Sequence, residues 1–147
     1  HLILRTSWVY ATRGNNFLLT MLRMAREGKP LRVVNDQIGA PTPAHALASA
    51  TAALVPNRDQ SGIFHMTSGG VASWYEFAVE IMETAGLAAK VIPIMTAEYP
   101  RPARRPRDSR LDNSKLSAQL GLALPGWQAG LRNVWAAGDA GAPLARR

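Results

Sequence analysis

The spacing of apolar and polar positions predicts strands and helices that alternate along the chain. Short apolar runs are typical of buried strands, and apolar residues that recur every three or four positions indicate amphipathic helices. The predicted strands are 1–10, 31–34, 62–66 and 91–94, and the predicted helices are 17–25, 43–54, 74–85, 114–120 and 127–136. This alternation predicts an α/β fold.

Capping residues and prolines set several of the predicted boundaries. Thr42 is expected to cap the second helix, with Pro43 in the first turn, where a missing N–H costs nothing. Ser73 and Glu76 have the spacing of a capping box. Pro93 cannot donate a ladder hydrogen bond, so the strand around it is expected at a sheet edge.

The chain begins inside its first predicted strand, with no cap or turn before it. Because natural domains usually start with a few loose residues, we expect a segment to precede His1 in the parent protein. Residues 1–137 are expected to form one unit, and the small, polar or basic residues 138–147 a loose tail. A chain of 147 residues is long enough to bury one core.

Composition excludes several classes of protein. Hydrophobic residues make up 47% and charged residues 18%, as in an ordinary globular domain. No apolar run reaches the roughly 18 residues of a membrane span, so no membrane partner is expected. The chain has no cysteine, which excludes disulfides and thiolate metal sites and is compatible with a reducing, cytoplasmic setting.

The net charge of +7 is concentrated in one segment. Five arginines lie within ten residues, at positions 101, 104, 105, 107 and 110, opposed only by Asp108. A guanidinium pairs with phosphate oxygens in a forked geometry, so the cluster favours a polyanionic ligand, although a solvated basic loop would have the same composition. Nucleic acid is disfavoured because no aromatic residue lies between Tyr99 and Trp127 to stack on bases.

Motifs for catalysis are missing from the chain. No glycine-rich dinucleotide turn, no Tyr-x-x-x-Lys pair and no Gly-x-Ser-x-Gly elbow occurs, and the three histidines lack metal-ligand spacing. We therefore predict no catalytic residue and no metal site within these 147 residues. The candidate features are for binding: Trp8 offers a flat wall and an indole N–H, and Asn16 at a helix start could bind phosphate or cap the helix.

Five segments together resemble one family. They are similar, in order and spacing and over nearly the whole chain, to the second half of bacterial dTDP-4-dehydrorhamnose reductases. The segments are "LRTSWVY", "GNNF", "VVNDQIGAPT", "SWYEFA" and "YPRPARRPRDSRLDNSKL". The resemblance implies the carboxyl-terminal, substrate-binding part of a Rossmann-type extended short-chain dehydrogenase/reductase, with the amino-terminal half missing. Arg101 departs from the family, where a small residue is usual.

The resemblance also implies a reaction and a set of binding residues. These enzymes use NADPH or NADH to reduce the C4 ketone of dTDP-4-dehydro-L-rhamnose, the last step towards dTDP-L-rhamnose for cell-surface polysaccharides. Trp8 would contact the sugar, Asn16 and Arg105 would approach the diphosphate, and Gln37 would lie near the nucleoside. Thr6 and Ser7 would lie beside the nicotinamide.

Several questions stay open at this point. The catalytic Tyr–Lys pair is expected upstream of His1, so the chain alone is expected to be inactive. A non-catalytic, nucleotide-binding regulatory relative is the alternative, distinguished by whether that pair occurs upstream. The sequence does not decide the preference between the two cofactors. A homodimer is the expected assembly if the protein is an oligomer.

Overall fold

Strands and helices alternate in the computed structural model, which describes residues 1–56, 59–100, 102–103 and 105–137. The strands are β1 (Leu2–Arg5), β2 (Val9–Tyr10), β3 (Leu31–Val34), β4 (Ile38–Gly39), β5 (Thr42–Pro43), β6 (Gly62–His65), β7 (Ala72–Ser73) and β8 (Val91–Ile94). The helices are α1 (Phe17–Arg26), α2 (Ala44–Leu54), α3 (Trp74–Ala85), α4 (Ser114–Leu120) and α5 (Trp127–Ala136), with a 3₁₀ turn at Thr96–Glu98. The α/β prediction is confirmed, and the expected loose tail at 138–147 lies outside the described residues.

The strands pair in twos across long stretches of sequence. Three pairs are parallel, β1 with β6, β2 with β5 and β3 with β8, and β4 pairs antiparallel with β7. The prediction of one strand over 1–10 is wrong, because the chain turns at Trp8, whose φ is +50°. The two pieces on either side of this turn therefore pair with different strands.

Two apolar clusters hold these elements together. The larger one joins α1, α3 and α5 to β3, and its fully buried side chains include Leu22, Phe77, Ile81 and Leu131. The smaller one lies where α2 and α4 cover the β1–β6 pair. Alternation along β1 points Leu2 and Leu4 into this second cluster, as expected for a strand with one covered face.

The predicted helix cap is confirmed at α3 and wrong at α2. The Ser73 Oγ accepts the Glu76 N–H at 3.0 Å and the Glu76 carboxylate accepts the Ser73 N–H at 2.6 Å, so the predicted capping box is confirmed. Thr42 does not cap α2: its hydroxyl donates to the Ala40 carbonyl oxygen at 2.9 Å, and Pro43 is the N-cap. The reason is that Thr42 and Pro43 form β5, which pairs with β2.

The other predicted elements agree with the structure, whereas the short strands β4 and β7 were not predicted. Helices α4 and α5 span the predicted residues, and Pro93 lies in β8, whose partner within the described chain is β3 alone, which makes it an edge strand. None of the helices in the described ranges is long and apolar enough to cross a membrane.

Candidate functional site

An open groove of about 1580 Å³ lies between α1, β3 and the segment that follows β8. Its lining includes the aromatic rings of Trp8, Phe17 and Trp74. The polar and charged residues of the lining include Gln37, Thr96, Arg105, Arg107 and Ser109. A flat apolar wall beside hydrogen-bonding and cationic groups is suited to a ligand that is part sugar or base and part anion. We refer to this feature as the groove.

A shallower depression of about 490 Å³ lies at the carboxyl end of α3. Its described lining residues are almost all apolar or small, and Glu83 is the one charged side chain among them. It brings together none of the residues that the sequence marked for binding. The groove is therefore the candidate site.

Trp8 is held in the groove by its neighbours. Its ring stacks on that of Trp74 with the centroids 3.6 Å apart and the planes 4° from parallel. Its Nε1–H donates to the Ser109 Oγ at 2.8 Å, and that hydroxyl donates to the Ile38 carbonyl oxygen at 2.9 Å. The indole N–H is thus engaged within the protein, which corrects the expectation that it would be available to a ligand.

Aromatic contacts connect this ring to the core. Phe17 lies 4.6 Å from Trp74, centroid to centroid, and 5.5 Å from Phe77, which is completely buried. Phe77 in turn contacts Tyr10 at 5.1 Å. The aromatic wall of the groove is therefore an extension of the larger apolar cluster.

Gln37 is oriented by a hydrogen-bonded chain. The Asp36 carboxylate accepts from the Thr96 backbone N–H at 2.8 Å and from the Thr96 hydroxyl at 2.6 Å. These bonds, chiefly that of the Thr96 hydroxyl, hold the pKa of Asp36 below its usual value, with a smaller effect from Arg107. Since the hydroxyl proton goes to Asp36, the same oxygen accepts from the Gln37 Nε2 at 3.0 Å. This leaves the Gln37 Oε1 as the amide atom that can accept from a ligand.

The arginines of the basic cluster differ in their surroundings. Arg105 and Arg107 line the groove. Arg110 is instead paired with Asp108, with Nη2 2.6 Å from Oδ2 and Nε 3.0 Å from Oδ1, and this pairing lowers the pKa of Asp108 and raises that of Arg110. Arg101 and Arg104 lie outside the described residues.

Asn16 lies outside the lining of the groove, at the N-cap of α1. Its Oδ1 accepts from the Leu19 N–H at 3.3 Å, and its Nδ2 donates to the carbonyl oxygens of Ala11 at 2.9 Å and Arg13 at 3.1 Å. Of the two roles considered for Asn16, the structure shows capping. A contact with phosphate would require the amide to release one of these bonds, and it stays a prediction.

Thr6 and Ser7 form the turn between β1 and β2. Thr6 is exposed, and the Ser7 Oγ is buried without a hydrogen-bond partner among the described residues. A buried hydroxyl of this kind gains free energy when a polar ligand atom reaches it. Their proximity to a nicotinamide stays a prediction.

Sequence reasoning missed three residues of the site. Trp74 was assigned to the apolar stripe of α3. Gly39 and Ser109 lie in segments that carry the resemblance, but they were given no role in the site. A methyl group on Gly39 would come within 2.5 Å of the Trp8 Nε1 and 2.8 Å of the Ser109 Oγ. Such contacts join positions as far as 101 residues apart, and a single sequence does not reveal them.

Solved structures of known enzymes share this fold. The structure of dTDP-4-dehydrorhamnose reductase from Bacillus anthracis in complex with NADP superimposes with a TM-score of 0.88 at 35% identity, covering 92% of this chain and 48% of that one. UDP-N-acetylglucosamine 4-epimerase from Bacillus cereus superimposes with a TM-score of 0.68 at 18% identity, covering 90% and 44%. The fold is thus that of the carboxyl-terminal part of extended short-chain dehydrogenases/reductases.

Sequence comparison gives the family. The family model described as the RmlD substrate binding domain matches residues 1–139, and the chain belongs to this family. The dTDP-4-dehydrorhamnose reductase of Escherichia coli is 44% identical over 144 residues, which covers 91% of this chain and 48% of the relative. The chain spans about half the length of the curated relatives it matches.

Proposed function

We propose that this chain forms the sugar-nucleotide pocket of a dTDP-4-dehydrorhamnose reductase. The whole enzyme would reduce the C4 ketone of dTDP-4-dehydro-L-rhamnose with NAD(P)H and yield dTDP-L-rhamnose. The single observation that carries the proposal is the groove, which is lined by both the stacked indole of Trp8 and the guanidinium of Arg105. Arg105 has no ion pair among the described residues. Family membership and the names of the relatives give the substrate class.

The proposed roles follow from the chemistry of each side chain. Trp8 packs its ring against the C–H face of the sugar, a contact that aromatic rings make well. Arg105 donates to the diphosphate in a charge-assisted hydrogen bond, and Gln37 offers its Oε1 to the nucleoside. Asn16 at the start of α1 is the second candidate for the diphosphate.

The turn before Trp8 fits the proposed cofactor contact. NADPH or NADH, when bound, supplies the hydride. Thr6 and Ser7 would hold the nicotinamide end, and the partnerless buried Oγ of Ser7 supports a polar atom arriving there. No tyrosine of this chain has a lysine four positions later, so the proton donor of the reaction is proposed to come from the other half of the enzyme.

The binding part of the proposal can be tested on this chain. Calorimetric titration with dTDP-L-rhamnose should show binding, and UDP-glucose at the same concentration should bind more weakly. The chain alone should not oxidise NADPH in the presence of dTDP-4-dehydro-L-rhamnose. Oxidation above the background without protein would refute the half-site interpretation.

A test of the catalytic part of the proposal needs the half of the relatives that this chain does not cover. Fusing the amino-terminal half of the Escherichia coli relative in front of this chain should give NADPH oxidation that depends on the dTDP-sugar. A folded chimera that binds the nucleotide sugar without turnover would favour the regulatory alternative. We also propose a cytoplasmic location, where NAD(P)H and sugar nucleotides are made and used, and homodimer formation stays a prediction.

A further inference from the structure

Trp8 has two unfavourable local features. Its φ of +50° lies in the left-handed region, which residues with a Cβ avoid, and within the described ranges no other non-glycine residue has a positive φ. Its ring lies nearly face to face with Trp74, an arrangement that ring quadrupoles favour less than an offset or edge-on pair. Such features persist only where the surrounding structure fixes them, and they occur mainly at functional sites.

Three contacts fix the Trp8 ring. Trp74 covers one face, since a centroid separation of 3.6 Å leaves little room for an offset. The Ser109 Oγ holds the Nε1–H at 2.8 Å. Gly39 approaches so closely that any side chain at this position would collide with the indole.

The groups that make these contacts are themselves anchored. Ser109 donates both its backbone N–H and its hydroxyl to the Ile38 carbonyl oxygen, each at 2.9 Å. Gly39 lies in β4, paired with Ala72 of β7. Trp74 is the first residue of α3, directly after the N-cap Ser73, and its ring contacts Phe17. The Trp8 ring is therefore held by three different parts of the fold.

We infer that Trp74, Ser109 and Gly39 are positioning residues that hold Trp8 as a fixed, purely apolar wall for the sugar. The inference rests on the proposed function, in which Trp8 contacts the sugar. Because one ring face is covered and the N–H is engaged, the sugar meets only the remaining ring surface. This surface selects for C–H groups of the sugar and offers no hydrogen bond to a hydroxyl.

The stacked pair has a signature that needs no ligand. Two indoles at this separation couple their electronic transitions, so the unsubstituted chain should give an exciton couplet in circular dichroism. Trp8→Ala and Trp74→Leu should each abolish the couplet. Trp135→Leu is the matched control, because Trp135 packs at the edge of the same apolar cluster but does not line the groove. A couplet that survives in Trp74→Leu would overturn the inference.

A double-mutant cycle separates positioning by Trp74 from direct contact with the ligand. We expect Trp74→Leu to weaken dTDP-L-rhamnose binding about five- to tenfold, as Trp8→Ala does, and the double variant to bind no more weakly than either. Binding of dTDP, which lacks the sugar, should change less than about twofold in every variant. Effects of Trp8→Ala and Trp74→Leu that multiply in the double variant would overturn the inference.

Further variants keep the test decisive. If Trp74→Leu does not fold, Trp74→Phe preserves an aromatic contact, and it should abolish the indole couplet while recovering part of the lost affinity. Ser109→Ala should weaken binding of the sugar nucleotide but not of dTDP, whereas Ser117→Ala, on the exposed side of α4, should change neither. Failure of the unsubstituted chain to bind either nucleotide would refute the proposed function, and the couplet would still decide whether the indole is fixed.

Discussion

A single methyl group at Gly39 should disturb the site more than its size suggests. The alanine Cβ would lie 2.5 Å from the Trp8 Nε1 and 2.8 Å from the Ser109 Oγ, closer than non-bonded atoms can approach. Strand β4 cannot move away cheaply, because Gly39 pairs with Ala72 of β7. The Trp8 ring must therefore shift, losing its hydrogen bond to Ser109 and its stack on Trp74.

The expected destabilisation can be estimated from these losses. Overpacking of a well-packed position costs about 1–3 kcal/mol, and the lost indole hydrogen bond adds about 0.5–1.5 kcal/mol. Replacement of glycine by alanine also raises the free energy of unfolding by about 0.4–1 kcal/mol, because alanine restricts the unfolded chain, and this partly offsets the loss. The net loss for Gly39→Ala is about 2 kcal/mol, which corresponds to a fall in Tm of about 4–8 °C for a chain of this size.

Thermal unfolding followed by circular dichroism measures this loss, and the exciton couplet reports the position of the ring. Gly69→Ala is the control, because Gly69 does not have a left-handed φ and a methyl there would meet its nearest neighbour at an ordinary 3.7 Å. Gly69→Ala should not lower the free energy of unfolding, and restriction of the unfolded chain should raise it by about 0.4–1 kcal/mol. An unchanged Tm together with an intact couplet in Gly39→Ala would refute the reasoning.

Three further predictions concern the basic segment, Asp36 and Trp8. Arg105→Ala in the chimeric reductase should raise KM about ten- to a hundredfold and leave kcat within a few-fold, since the diphosphate carries the same charge in the ground and transition states. Arg110→Ala is the control and should change KM little, because the Arg110 guanidinium is paired with Asp108. Equal effects of the two substitutions on KM in a kinetic assay would contradict the assignment. Hydrogen bonds from Thr96 lower the pKa of Asp36, so the ionised carboxylate stabilises the fold fully above its usual pKa of 3.8, and this stabilisation is lost as the pH falls towards the lowered pKa. The free energy of unfolding of Asp36→Asn should therefore depend less on pH in this range than that of the unsubstituted chain. Equal pH dependence of the two proteins in acid unfolding would contradict the account. Trp8→Gly should be more stable than Trp8→Ala, by up to about 1 kcal/mol in chemical denaturation, because glycine has no Cβ and adopts the left-handed φ without a steric cost. The usual order, with the alanine variant more stable than the glycine variant, would contradict this.

Features encoded locally were predicted from the sequence. Helix α3 combines an apolar stripe with the Ser73–Glu76 capping box and a left-handed Gly86 at its end, so its bounds follow from neighbouring residues. Strand β3 was likewise visible as an apolar run before a polar loop. These signals act within a few residues, which is the range over which a single sequence is informative.

Long-range contacts decided the features that were not predicted. Thr42 has the composition of a helix cap, but pairing of β5 with β2 places it in a strand, where its hydroxyl accepts the Ser68 N–H at 3.2 Å. Trp8, Gln37 and Arg105 were expected in one pocket and do line one groove. Their binding roles stay predictions.

The failed strand prediction and the candidate site have the same cause. If β1 continued in an extended conformation, Trp8 would share a face with Leu2 and Leu4 and point into the cluster beneath α2 and α4. The left-handed turn at Trp8 redirects the chain, so that β2 pairs with β5 and the indole lies in the groove against Trp74. Such a turn costs about 1–2 kcal/mol, which a hydrogen bond to Ser109 and an aromatic stack, each worth about 0.5–1.5 kcal/mol, can offset. The irregularity therefore persists where contacts from distant elements converge, and this convergence also builds the proposed sugar wall.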